Sequence, residues 1–256
     1  MKNKFVILLA LSLFIMSAPA FGFPLDDEAE ACWQKGVQAA LRSKDFVPGK
    51  IYMKFERLDG DGKTTSQKET WLELPPGENQ GKVLKVLEDG KDITREELQK
   101  ERIKKEKAKG KKSAGDHSLN LSSEELVPLI SNSKKPVASK YLGRHKDHGV
   151  DCFVYEFQKE HVQTNGTKKE TVVQQGEIWL DAGSGMPVKS SYSISPLPSM
   201  VKQMEMNTTY VVGGDRFFVK SHAMSVQAGI LFFKKRFRIG FILDGYREAD
   251  KENQDE

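Results

Sequence analysis

The sequence is poor in the residues and motifs that mark enzymes, metal sites and redox proteins. It has two cysteines and five histidines in 256 residues. The cysteines are too far apart for a CxxC motif, and no HExxH motif or Cys–His cluster accompanies the histidines. A GxSxG elbow, a P-loop and a GxGxxG turn between a strand and a helix are also missing. We therefore predict no catalytic residues, no metal, no cofactor and no enzymatic activity.

Charge of one sign is not in large excess either. The chain has 40 Lys and Arg residues against 36 Asp and Glu residues. Two of the basic residues, Lys2 and Lys4, lie at the extreme N-terminus. A general nucleic-acid binder usually carries a larger basic excess, so we expect no nucleic-acid partner.

Long apolar runs are absent beyond the first residues. The run 5–16 holds about 12 residues, whereas a membrane-spanning helix needs about 20. Lys2 and Lys4 precede the run, and small residues such as Ala18 and Ala20 follow it, as signal peptidase requires. We predict a signal peptide at 1–22. No cysteine lies at the cleavage site to carry a lipid, which indicates a freely diffusing protein of the bacterial periplasm.

The two cysteines, Cys32 and Cys152, can be either paired or free in an exported protein. In an oxidising compartment they can form a disulfide, which in the chain-entropy model stabilises the fold by about 3–5 kcal/mol. Alternatively, they are two buried thiols that behave as small hydrophobic side chains. The sequence leaves both alternatives open.

The hydrophobic period predicts one domain at 23–248, followed by a polar tail at 249–256. Residues 26–41 have helical spacing, with Trp33 and Val37 on one face. From residue 50 the period becomes two, as in half-buried strands. About ten strands follow, joined by short turns, with no alternation of strands and helices that would indicate a parallel sheet. We predict a mainly antiparallel α+β fold, with one strongly curved sheet and helices packed against one face.

A charged insertion interrupts the strands at about 95–115. Residues 95–112 hold nine basic and four acidic side chains, and few apolar ones. We interpret this segment as a solvated excursion, with transient contact with anionic membrane lipids as the functional alternative. After it, Ser122 and Glu125 form a capping box that opens a short helix with Leu126 and Leu129.

The second half of the chain carries a recognisable series of motifs. Gly149-Val150-Asp151-Cys152 enters a strand, and a hairpin runs from Gly176-Glu177-Ile178-Trp179-Leu180-Asp181 to Gly185-Met186-Pro187-Val188-Lys189. A methionine-rich strand then ends at Tyr210. Over residues 140–246 this series resembles the LolA/LolB-like superfamily of periplasmic carriers, which includes outer-membrane lipoprotein-sorting proteins.

The resemblance implies an unclosed β-barrel with a helical lid around an apolar cavity that takes acyl chains. It implies a non-enzymatic periplasmic carrier or chaperone for lipid or lipoprotein acyl chains. The alternative is an envelope-stress sensor or protein-interaction module on the same fold.

Strands that are apolar on more than one face supply the candidate lipid-binding residues. The same residues would fill an ordinary core if no cavity exists. The candidates are Trp71, Phe153, Tyr155, Phe157, Trp179, Met204, Met206, Phe233 and Phe237.

Overall fold

The structure is a computed structural model that describes residues 27–76, 81–108, 126–131, 133, 135–165, 168–230 and 233–249. The predicted signal peptide, the capping box at 122–125 and the tail after residue 249 lie outside the described residues, as do residues 109–115 of the insertion. Predictions about those segments stay predictions.

The first helix, α1 (Asp27–Ser43), agrees with the predicted helix to within two residues. Acidic residues in its first turn and Arg42 in its last turn complement the helix dipole. Its buried face is made mostly of small side chains, which lets the helix lie close to the sheet. The buried residues are Ala29, Cys32, Trp33, Gly36, Ala39, Ala40 and Ser43.

The ten predicted strands are all present, and three two-residue strands were not predicted. The strands are β1 (Phe46–Val47), β2 (Lys50–Leu58), β3 (Thr64–Glu73), β4 (Lys82–Glu88), β5 (Lys91–Asp92), β6 (Ala138–Asp147), β7 (Val150–Asn165), β8 (Lys168–Asp181), β9 (Pro187–Ser195), β10 (Val201–Gly213), β11 (Arg216–Ile230), β12 (Phe233–Asp244) and β13 (Arg247–Glu248). A second helix, α2 (Thr94–Ala108), lies between β5 and β6.

Eleven strands form one antiparallel sheet in the order β5-β4-β3-β2-β12-β11-β10-β9-β8-β7-β6. The last long strand, β12, pairs with β2, which joins the N-terminal hairpins to the C-terminal ones. The terminal strands β5 and β6 do not pair with each other among the described residues, so the curved sheet is unclosed. The predicted fold class, antiparallel sheet with helices, is confirmed at this level.

Side chains alternate between the two faces of the sheet. We call the face that contacts α1 the inner face and the opposite one the outer face. α1 lies against β8 and β11 on the inner face. Within the described parts of the chain, no helix is both long and apolar enough to cross a membrane.

The β8–β9 hairpin holds α1 through a contact between two glycines. A Cβ atom added at Gly36 of α1 would lie 2.9 Å from the carbonyl oxygen of Gly185, and one added at Gly185 would lie 2.6 Å from Cβ of Lys35. Gly185 also has a positive φ of 76°, which favours glycine. The Oδ1 atom of Asp181 accepts a hydrogen bond of 2.7 Å from the Ser184 amide and orders this turn. Residues of the hairpin motif therefore position the helix.

An aromatic pair completes the contact of α1 with the sheet. The Tyr155 hydroxyl donates a 2.6 Å hydrogen bond to the Ala29 carbonyl oxygen. The rings of Tyr155 and Trp33 lie 5.1 Å apart. Burial is the main reason that the pKa of Tyr155 rises above its ordinary value.

The segment 126–131 covers a neighbouring part of the inner face. The Tyr210 hydroxyl donates to the Leu126 carbonyl oxygen at 3.1 Å, and Lys159 Nζ donates to the Val127 carbonyl oxygen at 3.3 Å. Leu126, Val127, Leu129 and Ile130 are all buried. Of the helices predicted to pack against one face, α1 is present, whereas residues 127–131 form a turn that covers the same face.

The start of α2 is anchored to the sheet, while most of its described side chains are exposed. The Val86 amide donates to Thr94 Oγ1 at 2.9 Å, and Glu97 forms an ion pair of 2.7 Å with Lys68 of β3. Hydrogen bonds from Lys100 and Lys68 lower the pKa of Glu97 to about 2. A charged pair that links helix and sheet was not visible in the charge count of the sequence.

The two cysteines are free thiols in the structure, which is the second of the two alternatives. Cys32 lies on α1, with Sγ 3.6 Å from the carbonyl oxygen of Asp181. Cys152 alternates with Phe153 on β7 and therefore points to the outer face. The sheet separates the two sulfur atoms. Burial raises the pKa of both thiols, that of Cys152 to about 11.

We expect Gly185→Ala to lower the free energy of unfolding by about 2–4 kcal/mol, because it adds backbone strain and a clash with α1. Gly62→Ala is the matched control. Gly62 also has a positive φ, of 83°, but no atom lies within 4 Å of an added Cβ. This control should lose only about 1 kcal/mol, from backbone strain. Urea unfolding measures the free energy of unfolding of both variants. An equal decrease in the two variants would contradict the close contact between Gly185 and α1.

Buried thiols with raised pKa values should react slowly with a thiol reagent in the native protein. After unfolding in denaturant without reductant, both cysteines should react rapidly, because no disulfide protects them. A spectrophotometric thiol titration of periplasm-derived protein measures this. Absence of reactive thiols in denaturant would instead indicate the disulfide.

Candidate functional site on the inner face of the sheet

Apolar side chains from neighbouring strands form rows across the inner face. In one row, Met204 of β10 pairs with Val226 of β11, and Val226 pairs with Phe237 of β12. The adjacent row joins Met206, Met224, Ile239 and Phe55 in the same way. We call these two rows, together with Ile194 of β9, the trough.

The trough differs in exposure from the core beneath α1. Phe153, Tyr155 and Phe157 are 3%, 1% and 1% exposed. In the trough, Met206 is buried at 7% exposure, and the other seven side chains are only partly buried. Since α1 lies against β8 and β11 while α2 lies against β4, the trough is apolar surface that the described helices leave partly open.

A cavity beneath α1 is too small for the predicted acyl chain. It has a volume of about 20 Å³ and is lined by residues that include Ala40, Leu126, Phe217 and Tyr246. That volume accommodates about one water molecule. The open trough, and not this cavity, is therefore the candidate site for an apolar ligand.

A row of polar side chains borders the trough at the centre of the sheet, and Met206 of the trough also belongs to the buried core. Thr208 Oγ1 and His222 Nδ1 lie 2.9 Å apart, and the hydroxyls of Ser190 and Tyr210 lie 2.8 Å apart. His222 is 3% exposed, and burial lowers its pKa to about 4. The imidazole is therefore neutral at neutral pH, and it contributes no charge beside the trough.

The predicted lipid-binding residues fall into three groups. Met204, Met206 and Phe237 lie in the trough. Phe153, Tyr155 and Phe157 belong to the filled core beneath α1 and segment 126–131. Trp71 and Trp179 point to the outer face. Phe233 begins β12, and its side chain is outside the described residues.

The two outer-face tryptophans, both predicted as lipid-binding candidates, pack against partners other than the trough. Lys189 Nζ lies 4.1 Å from the ring centre of Trp179, and the same Nζ is 2.7 Å from Asp147. The ring of Trp71 lies 5.0 Å from that of Tyr52. Since side chains alternate along a strand, Trp179 cannot share a face with Ile178. The tryptophan and lysine of the hairpin motif therefore form a cross-strand cation–π pair.

Several trough residues were not predicted as site residues. They are Phe55, Ile194, Met224, Val226 and Ile239. Their period-two spacing was visible in the sequence. The sequence did not show which strands lie side by side. Pairing of β12 with β2 brings Phe55 beside Ile239, although the two residues are far apart in the chain.

Among the residues that the structure describes, no three His, Cys, Asp or Glu side chains gather in a way that would hold a metal ion. Of the histidines, His145 packs 5.6 Å from the Trp179 ring and His222 packs in the polar row. The predicted lack of metal, cofactor and catalytic residues stays a prediction.

Burial of neutral His222 makes stability depend on pH. The unfolded histidine has a pKa of about 6.5, so stability should be full above that pH and should fall by about 3 kcal/mol as the pH drops to 4. We expect His222→Gln to remove most of this fall, whereas His145→Gln, at an exposed position, should retain it. Urea unfolding at several pH values measures the slopes. Identical slopes for all three proteins would contradict the assignment.

No protein-family model matches the chain, and no curated protein matches its sequence. Solved structures that match include a DUF1329 family protein from Desulfovibrio piger, with 12% identity over 89% of this chain and 95% of the other, and a TM-score of 0.34. The complex of MucA and MucB from Pseudomonas aeruginosa also matches, with 10% identity over 88% and 99% of the two chains and a TM-score of 0.21. At these TM-scores the matches assign neither a fold family nor a function. The resemblance to the LolA/LolB-like superfamily stays a prediction.

Proposed function

We propose that this protein is a non-enzymatic binding protein of the bacterial periplasm, a carrier or chaperone that holds a lipid or lipoprotein acyl chain against the trough. The observation that supports the proposal is a continuous, partly exposed apolar surface on the inner face of the sheet. Contiguous exposed apolar surface of this kind marks interaction sites in soluble proteins.

The composition of the trough suits an acyl chain. Each methylene group that leaves water contributes up to about 0.8 kcal/mol. Met204, Met206 and Met224 offer unbranched, polarizable side chains that adapt to a flexible ligand. Phe55 and Phe237 form one wall, with ring centres 5.5 Å apart. Binding would need no reaction, only removal of two apolar surfaces from water.

The protein purified from a bacterial periplasm should carry lipid that native mass spectrometry detects. Val226→Asp, which places a charge in the trough, should reduce bound lipid by at least about tenfold, because a carboxylate does not desolvate beside a hydrocarbon chain. Ile242→Asp is the matched control, since Ile242 lies on the outer face of β12 and is 52% exposed. It should carry as much lipid as the wild type.

Circular dichroism checks that both variants are folded. A wild-type protein without lipid, or a folded Val226→Asp variant with a full complement of lipid, would contradict acyl binding in the trough.

The alternative function, a protein-interaction module or envelope-stress sensor, is favoured by a different surface. A groove of about 540 Å³ at one end of the sheet is lined by Lys50, Glu73, Lys82 and Arg247, with Pro75 and Pro76 on its wall. Its charged lining suits a peptide better than an acyl chain. Lys50→Glu combined with Lys82→Glu should weaken the binding of a protein partner and leave the amount of bound lipid unchanged. This difference separates the two functions. Membrane contact through residues 95–112 remains a further proposal.

A further inference from the structure

One row of the trough ends at a cation. Phe237 pairs with Arg57 of β2, so the row runs Met204, Val226, Phe237 and then Arg57. Arg57 lies two residues after Phe55 on β2 and therefore on the same, inner, face, and its side chain is exposed. The chain therefore places a permanently charged guanidinium at the open end of an apolar row.

Among the described residues, no carboxylate forms an ion pair with the Arg57 guanidinium. Its sequence neighbour Glu56 points to the outer face, where its carboxylate oxygens lie 3.0 Å from Lys54 Nζ and 3.6 Å from Arg238. The carboxylate next to Arg57 in sequence thus serves the outer face, and Asp59 Oδ1 accepts hydrogen bonds from the Asp61 and Lys63 amides in its own turn. Arg57 is left to face solvent at the edge of the trough.

The row has the length of one acyl chain. From Met204 to Arg57 it crosses three gaps between strands, which at about 4.8 Å each makes about 14 Å. An acyl chain in a bilayer fills about half of a hydrocarbon core of about 30 Å. A single chain that lies across the strands would therefore reach from Met204 to the guanidinium.

Lys159, on β7 of the inner face, does not offer a comparable site. It is 1% exposed and donates to the Val127 carbonyl oxygen. A headgroup that must stay close to water is better placed at exposed Arg57 than at a lysine enclosed beneath segment 126–131.

We propose that the ligand is a long-chain fatty acid that lies across strands β10, β11, β12 and β2, with its carboxylate against Arg57. The proposal rests on the proposed function and specifies the ligand of the same site. A guanidinium matches a carboxylate in geometry, through two parallel hydrogen bonds. It also matches the single negative charge, whereas a phosphate monoester carries about −1.5 to −2.

The test compares dodecanoate with 1-dodecanol, which share a chain and differ in headgroup. Displacement of an apolar fluorescent dye from the full chain reports both affinities. Arg57→Gln should weaken dodecanoate binding about fivefold, as expected for an exposed ion pair, and leave dodecanol binding unchanged. Arg57→Lys, which keeps the charge, should retain most of the dodecanoate affinity. High salt should weaken dodecanoate binding to the wild type and to Arg57→Lys, but not to Arg57→Gln.

Two controls separate this inference from the proposed function. Lys140→Gln removes one exposed cation from the outer face of β6 and should change neither affinity. Val226→Asp should weaken both ligands. If Arg57→Gln leaves dodecanoate binding unchanged, or weakens both ligands equally, the carboxylate site at Arg57 is wrong while acyl binding stands. If the wild type binds neither ligand, the proposed function is wrong as well.

Discussion

The close approach of α1 to the β8–β9 hairpin is the contact on which the arrangement of the inner face depends. Gly36 and Gly185 meet backbone to backbone, and a Cβ atom on either would fall within 3 Å of the other element. Close docking brings the Ala29 carbonyl oxygen within reach of Tyr155. It also sets which part of the sheet is covered. The helix fills the space above β8 and β11, so Phe153, Tyr155 and Phe157 form a dry core.

The same geometry leaves the other part of the inner face open. Polar pairs, Thr208 with His222 and Ser190 with Tyr210, lie beside the trough, and each pair is hydrogen-bonded. Beyond them the rows become apolar again and only partly buried. One sheet therefore combines a packed core that supplies stability with a partly exposed apolar surface available for a ligand. This division is the physical basis of the proposed acyl-binding function.

The positions of the strands and of α1 were predictable because secondary structure depends mainly on neighbouring residues in the sequence. The period-two runs predicted all ten long strands, and the spacing of Trp33 and Val37 predicted α1. The site was less predictable. Met204, Met206 and Phe237 were identified from apolar character, but Trp71 and Trp179, equally apolar, lie on the outer face beneath lysines. A strand's alternation shows which side chains share a face and does not show which face looks inward.

The sequence by itself determined the antiparallel class, the positions of the long strands and the helix α1, since turn residues and hydrophobic period act over a few residues. The tertiary structure decided which strands are neighbours, which face α1 covers and which state the cysteines take. Pairing of β12 with β2 sets Arg57 beside Phe237, residues 180 positions apart, and no local pattern encodes that register. The physical reason is that register between distant strands is selected by the packing of the whole inner face.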